Sequence, residues 1–281
     1  MYFLTLDPGR DTLELSGLGI WYYPMGEPTV HGAFTPGRVQ VAYVQGTNPD
    51  WTEIALWADL ARRNDAEHIV LFIPFLPGAR GDKDTPRPAA VNARLAAATG
   101  ITRLVTVDPH SPVWLDEFDR ACGGKIDHDV LDLGELVREA VGERLYRAVI
   151  APDAGAQERA GDVARALGIT TVYTAAKSRD PETGRLLSYE IDIPDGDGDL
   201  LVVDDLCDGG GTFLLLAEAL GDRTADLWVS HAGFTKGTDL LLDRYRQVYT
   251  TDSLPRHPGL TTVALAPMFT NYLRTTLTER N

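Results

Sequence analysis

Short, nearly continuous apolar runs alternate with amphipathic stretches along most of the chain. VQVAYVQ (Val39 to Gln45), HIVLFIPF (His68 to Phe75), RLVTVD (Arg103 to Asp108) and RAVIAPD (Arg147 to Asp153) predict strands. ITTVYTAA (Ile169 to Ala176), DLLVVDD (Asp199 to Asp205) and DLWVSHA (Asp226 to Ala232) continue the series. Runs without polar alternation suit strands covered on both faces, as in parallel sheets. Between them WTEIALWADLARRN, RPAAVNARLAAATG, QERAGDVARALG and TFLLLAEALG have helical spacing and end near a glycine or polar stop. The predicted class is α/β, with mainly parallel sheets flanked by helices.

These strands end in polar residues: IPF before GARGDKD, VTVDPH, IAPDAG, TAAKSR, VVDD and VSHAGF. Ligands of open α/β sheets sit beyond the carboxyl ends of strands, so these endings are the expected lining of a site. Gly123, Gly124 and the capping-like stretch around Asp132 suggest two halves, 1–140 and 141–281, with packing of the last helix back on the first half as an open alternative. RDPETGR (Arg179 to Arg185) and the GDGD ending at Asp199 read as loop and turn, and no short repeat is evident.

Composition removes several classes of function. The 281 residues carry a formal charge of -15, which argues against a surface that wraps nucleic acid. Cys122 and Cys207 are far apart and lack zinc-site spacing, which points to a reducing compartment. No run approaches a membrane span and the N-terminus lacks signal-peptide features, so a cytoplasmic protein without a membrane partner is expected.

The stretch LLVVDDLCDGGGTF (Leu200 to Phe213) carries the most chemistry. A helix beginning near Gly211 presents backbone amides, and Gly209, Gly210 and Gly211 let an anion approach them. Asp204 and Asp205 are acceptors suited to vicinal hydroxyls or to Mg²⁺. A sugar phosphate satisfies both demands; the alternative is a strand end followed by a plain loop. The stretch is neither a Walker A loop nor a GxGxxG fingerprint.

VVDDLCDGGGT resembles the phosphoribosyl diphosphate-binding motif of the phosphoribosyltransferase fold. LFIPFLPGARGDKD, TRLVTVDPHSP, VIAPDAGAQERAGDVARALG, AAKSR and SHAGFTKG follow in the order found in ribose-phosphate diphosphokinases, also called pyrophosphokinases or phosphoribosyl diphosphate synthetases. The match runs from about Pro24 to Gly237 and implies two phosphoribosyltransferase-like halves, ATP on the first and ribose phosphate on the second. The implied activity is Mg²⁺-dependent transfer of the diphosphoryl group of ATP to the anomeric hydroxyl of ribose 5-phosphate, releasing AMP.

By that resemblance Asp204, Asp205, Asp208, Gly209, Gly210, Gly211 and Thr212 bind the ribose phosphate. Lys177 and Arg179, two apart on an extended strand end, stabilise the transferring phosphates. Arg80, Lys83, Glu27 and His231 are the ATP-side candidates, and His231 as a strand cap is the other reading of that residue. His110 and Asp153 are the Mg²⁺-associated pair, with His110 also in the catalytic set and Asp108 orienting it. The resemblance also implies a homo-oligomer, in which the Glu27 region serves a neighbour's nucleotide site.

Two departures matter. Gly209 stands where the family usually has threonine, which removes a hydroxyl donor and is expected to open space. YPMGE (Tyr23 to Glu27) has Met25 in place of an acid. A larger acceptor ending in ribose 5-phosphate, such as ADP-ribose, is therefore an alternative; a phosphoribosyltransferase and a non-catalytic regulatory relative are the other two. Trp51, Trp57, Ile54 and Leu60 read as packing or subunit contact, and Cys207 as a small filler.

Overall fold

The apolar runs become strands of two six-stranded sheets, all of them inner except the one within ITTVYTAA, which forms an edge. The computed structural model describes residues 1–7, 12–83, 85–179 and 186–278. Its contacts divide the chain into one unit of Met1–Leu131 with Leu265–Asn281 and another of Asp132–Ala264.

In the first unit the strands are β1 (Tyr2–Asp7), β2 (Thr12–Leu15), β3 (Gly17–Tyr22), β4 (Pro28–Ala33), β5 (Val39–Tyr43), β6 (His68–Phe72), β7 (Arg103–Val107) and β8 (Asp127–Leu131). The sheet order is β2-β1-β5-β6-β7-β8, parallel from β5 to β8, with β1 antiparallel to both neighbours. Every residue of β5 is buried, which accounts for its unbroken apolar run. Helices α1 (Trp51–Arg63), α2 (Pro88–Ala97) and α3 (Val113–Cys122) lie between the strands. On α1, Asp50 caps the start by accepting from the amides of Thr52 and Glu53, while Ile54 and Trp57 face the core. Trp57 stacks on Phe3 at 5.7 Å, and Trp51 donates to Asn92 Oδ1, so both serve packing.

The helix Leu265–Leu273 goes with this unit, so the last helix packs back on the first half of the chain. Phe269, on the helix Leu265–Leu273, stacks on Phe72 at 4.0 Å, and Tyr272 donates to Asp129 Oδ2 at 2.6 Å. Asp129 and Asp127 also pair with Arg103, so the polar strand β8 is held by charge where its sequence offers little to a hydrophobic core.

In the second unit the elements are α4 (Leu133–Val141), β9 (Tyr146–Ala151), α5 (Gln157–Ala166), β10 (Val172–Thr174), β11 (Ala176–Arg179), β12 (Leu186–Glu190), β13 (Asp199–Cys207), α6 (Gly211–Leu220), β14 (Ala225–Ala232), α7 (Asp239–Leu242), β15 (Val248–Thr251) and β16 (Thr261–Val263). The order β10-β9-β13-β14-β15-β16 is parallel throughout, and β11 and β12 form a separate antiparallel pair.

The division falls at Leu131/Asp132 rather than near residue 140 because α4 packs on α5. A Cβ at Gly134 would come within 2.4 Å of Ala166 Cβ, and Arg138 donates to the Ala166 carbonyl at 2.7 Å. Asp132 caps α4 by accepting from the Glu135 amide at 2.8 Å. Asp132→Ala should therefore cost about 1 kcal/mol, read as a lower urea midpoint at unchanged m.

Candidate active site

From β9 the chain passes to β10 on one side and later returns to β13 on the other. Loops leaving the carboxyl ends of β9 and β13 therefore diverge around a crevice, the usual ligand position in an open α/β sheet. Asp153 follows β9, and Asp204 and Asp205 lie near the end of β13.

Asp153 organises the first side. Its Oδ1 accepts from the amides of Gly155 and Ala156 at 2.8 and 3.2 Å, and its Oδ2 holds the Lys177 ammonium. Burial works to raise this carboxyl, but Lys177 and the two amides outweigh it and leave it below its ordinary value. Burial likewise works to lower Lys177, and Asp153 outweighs it, so the lysine lies above its ordinary value. Both groups are ionised at neutral pH. Lys177 belongs to β11 and pairs in register with Tyr189 of β12, whose ring centroid is 6.0 Å from the ammonium. Arg179 ends β11, and its side chain lies outside the described residues.

The second side is a nearly buried carboxylate pair. Asp204 and Asp205 are nearly buried, with side chains 16% and 8% exposed. Arg159, reaching over from α5, places Nη1 at 3.5 Å from Asp204 Oδ1 and 3.9 Å from Asp205 Oδ1. Burial, and then the charge of Asp205, still push the Asp204 carboxyl up to about 8, with Arg159 acting the other way. Arg159 at these distances does not bring the Asp204 carboxyl back to its ordinary value.

The anion-binding side follows directly. Gly210 stands before α6 at φ +77, with no side-chain cap on the helix. A Cβ at Gly210 would lie 3.1 Å from Leu241 Cδ1, so glycine is required there by both backbone and space. Gly210→Ala should destabilise the protein by roughly 1–2 kcal/mol, measured by chemical denaturation. Gly211 has open space where a Cβ would be, and Thr212 begins the helix beside it. Asp208 accepts from Thr235 Oγ1 at 2.8 Å, which makes it a loop anchor as well as a candidate contact. The space over Gly209 is not open as its sequence suggests: the aliphatic stem of Lys236 lies there. Cys207 is 1% exposed with its thiol pushed up to about 12 by burial, consistent with a filler. His231 is 2% exposed on β14 with Nδ1 2.9 Å from Ser253 Oγ, which places its ring inside the sheet network rather than on an open face.

The remaining candidates lie on the first unit. His110 is exposed two residues beyond Asp108, which is 7% exposed and adopts φ +36 at the end of β7. A left-handed aspartate at a strand end is the kind of strain that functional loops retain. Arg80 and Lys83 are exposed on the loop after β6. Glu27 closes the turn between β3 and β4, its carbonyl accepting from the Tyr23 amide at 2.9 Å. Trp21, Tyr22 and Met25 are exposed on the same hairpin.

Arg159, Lys236 and Tyr189 lie beside the candidate residues, and the sequence reading passes over them. Arg159 sits two positions beyond the start of a helix after a strand-end aspartate, a placement that could have marked it. Lys236 and Tyr189 reach the site only through tertiary folding. Among the described residues no group of three or more His, Cys, Asp or Glu is arranged to hold a metal. Mg²⁺ needs no such cage, since it takes few carboxylates and completes its shell with water and phosphate oxygens.

A family model described as phosphoribosyl transferase domain matches residues 131–252. The chain is 30% identical over 264 residues to the ribose-phosphate pyrophosphokinase of Haemophilus influenzae, covering 83% of this chain and 81% of that protein. It is 30% identical over 206 residues to the one from Methanopyrus kandleri, covering 70% and 69%. The phosphoribosylpyrophosphate synthetase structure from Mycobacterium smegmatis superposes with TM-score 0.71 at 24% identity, covering 93% of this chain and 90% of that one, which shows a shared fold.

Proposed function

The chain belongs to the ribose-phosphate pyrophosphokinase family, a family of transferases, and on that premise we propose that it moves the β,γ-diphosphoryl group of ATP to the anomeric hydroxyl of ribose 5-phosphate. The observation that carries the reading is the crevice beyond β9 and β13, where the nearly buried Asp204–Asp205 pair, with Asp204 raised by burial and by its neighbour's charge, adjoins a glycine-lined helix start and Lys177 is held on the other side.

Each part has a task that follows from its charge. Asp204 and Asp205 accept hydrogen bonds from the ribose hydroxyls, which orients the ring. The amides at the start of α6, with Gly211 and Thr212, hold the 5-phosphate. Lys177 leaves Asp153 for the transferring phosphates and offsets the charge that spreads over their oxygens during transfer, and Arg179 acts beside it. Arg80, Lys83 and Glu27 serve the nucleotide. Mg²⁺ bound with ATP would supply further neutralisation of the triphosphate; on the second unit Asp153, once Lys177 has turned away, is the candidate for holding it, and on the first unit His110 is. We place the protein in the cytoplasm as a homo-oligomer in which the exposed Glu27 hairpin meets a neighbour.

Incubation with ATP, Mg²⁺ and ribose 5-phosphate should release AMP and phosphoribosyl diphosphate in equal amounts. ADP-ribose is the second reading, favoured by the missing side-chain donor at Gly209, which a bridged and less charged phosphate tolerates better. AMP release with ADP-ribose alone selects the second reading, and release with neither acceptor rejects both.

A further inference from the structure

Resting on that reading of the acceptor site, we propose that Lys236 is a specificity residue that supplies the cation for the terminal phosphate of ribose 5-phosphate. Gly209 has a backbone conformation open to any residue, since its φ is outside the left-handed region. Crowding does not demand glycine either: a Cβ there would meet Lys236 Cε, Cδ and Cγ at 3.4, 3.5 and 3.7 Å, ordinary contact distances. What a longer side chain at this position would displace is the lysine stem. The glycine and the lysine therefore form a pair, one leaving the room that the other occupies.

Lys236 is held in this place by its backbone. Thr235 binds Asp208 twice, by its hydroxyl at 2.8 Å and by its amide at 2.9 Å, and the amides of Gly233 and Phe234 donate to the Cys207 carbonyl at 2.8 and 3.1 Å. The segment carrying the lysine is thus stapled to the phosphate loop, although its side chain is exposed. Lys236 makes no ion pair with a carboxylate among the described residues, in a chain whose formal charge is -15. A second observation points to a ligand in the same loop. Tyr189 is 5% exposed, and its hydroxyl faces the Thr212 and Lys177 side chains without a fully formed hydrogen bond to either. A phosphate oxygen bound at Thr212 would give this buried hydroxyl a well-placed partner.

An ammonium beside a helix start suits a doubly charged phosphate monoester better than the singly charged phosphorus of a bridged diphosphate. Lys236 thereby favours ribose 5-phosphate over ADP-ribose, and it replaces by charge what the loop lacks in side-chain donors at Gly209.

Calorimetric titration of the full chain with ribose 5-phosphate and with ADP-ribose, both without ATP, tests this on the wild type, Lys236→Met and Lys236→Arg. Methionine keeps the apolar stem and removes the charge, so folding is preserved. The expected result is about tenfold weaker binding of ribose 5-phosphate to Lys236→Met, with ADP-ribose weakened less than about threefold and Lys236→Arg near wild type. In turnover the KM for ribose 5-phosphate should follow the binding loss, while kcat and the KM for ATP stay unchanged. Added salt should weaken the wild type towards Lys236→Met and leave the variant nearly unaffected. Equal weakening for both acceptors, or none for either, overturns the role of Lys236 while leaving the acceptor site standing. A wild type that binds neither acceptor overturns the acceptor site itself, and the lysine's role with it.

Discussion

Lys177→Ala should lower kcat for AMP release by about 10³-fold while changing the KM values for ATP and acceptor by less than about threefold. The reason is the lysine's position before substrate arrives. Held on Asp153 and ionised at neutral pH, it is a preorganised cation that changes partner when the phosphates enter, so its contribution is realised in transfer rather than in binding. Chromatographic AMP measurement under saturating substrates checks the size of the effect, and initial-rate series check the KM values. Removal of the lysine also leaves Asp153 with two backbone amides as its remaining described partners, so a modest loss of melting temperature should accompany the kinetic defect. A variant that kept wild-type kcat would remove Lys177 from the transfer step, whatever its effect on stability.

Asp204→Asn should produce opposite effects on stability and on function. The Asp204 carboxyl is pushed up to about 8 in the folded protein, against an ordinary value of 3.8. Between these values the folded chain binds more protons than the unfolded chain, so wild-type stability falls as pH rises through the window. Asparagine has no such titration. Asp204→Asn should therefore melt close to wild type at pH 5 and at least about 3 °C higher at pH 8.5. The same variant should lose about 10²-fold in kcat/KM for the acceptor, because it can no longer offer an ionised acceptor to the ribose hydroxyls. In the wild type, kcat/KM for the acceptor should rise with pH as Asp204 ionises, and this limb should be missing in the variant. A melting difference that is constant across pH would show that burial and the like charge of Asp205 do not raise the Asp204 carboxyl in the folded protein.

Inner parallel strands were the most legible part of the fold, because burial on both faces leaves apolar runs such as VQVAY and LLVV with no competing interpretation. The strands that went unread are of other kinds. β8 is polar and is held by Arg103 against Asp127 and Asp129. β3 and β4 form a largely exposed hairpin, and β15 and β16 are short segments whose burial comes from neighbours. The unit boundary was similarly hidden, since the attachment of α4 to α5 depends on Gly134 fitting against Ala166, a contact between positions distant in sequence.

By itself the sequence determined the chemical types at the strand ends: the acids of VVDD, the glycines after them, the lysine of AAKSR and the aspartate of IAPD. These are local properties, set by residue identity and by the strand-to-helix pattern. Tertiary structure alone decided how those groups are charged and what completes them. Arg159 reaches the acid pair from a different element, burial and a like neighbour raise Asp204, and Lys177 finds Asp153 across a gap of 24 residues. Lys236 comes to lie over Gly209 only because one loop is pinned to another. Desolvation and Coulomb interaction depend on distances between residues remote in the chain, and those distances exist only once the sheets have formed.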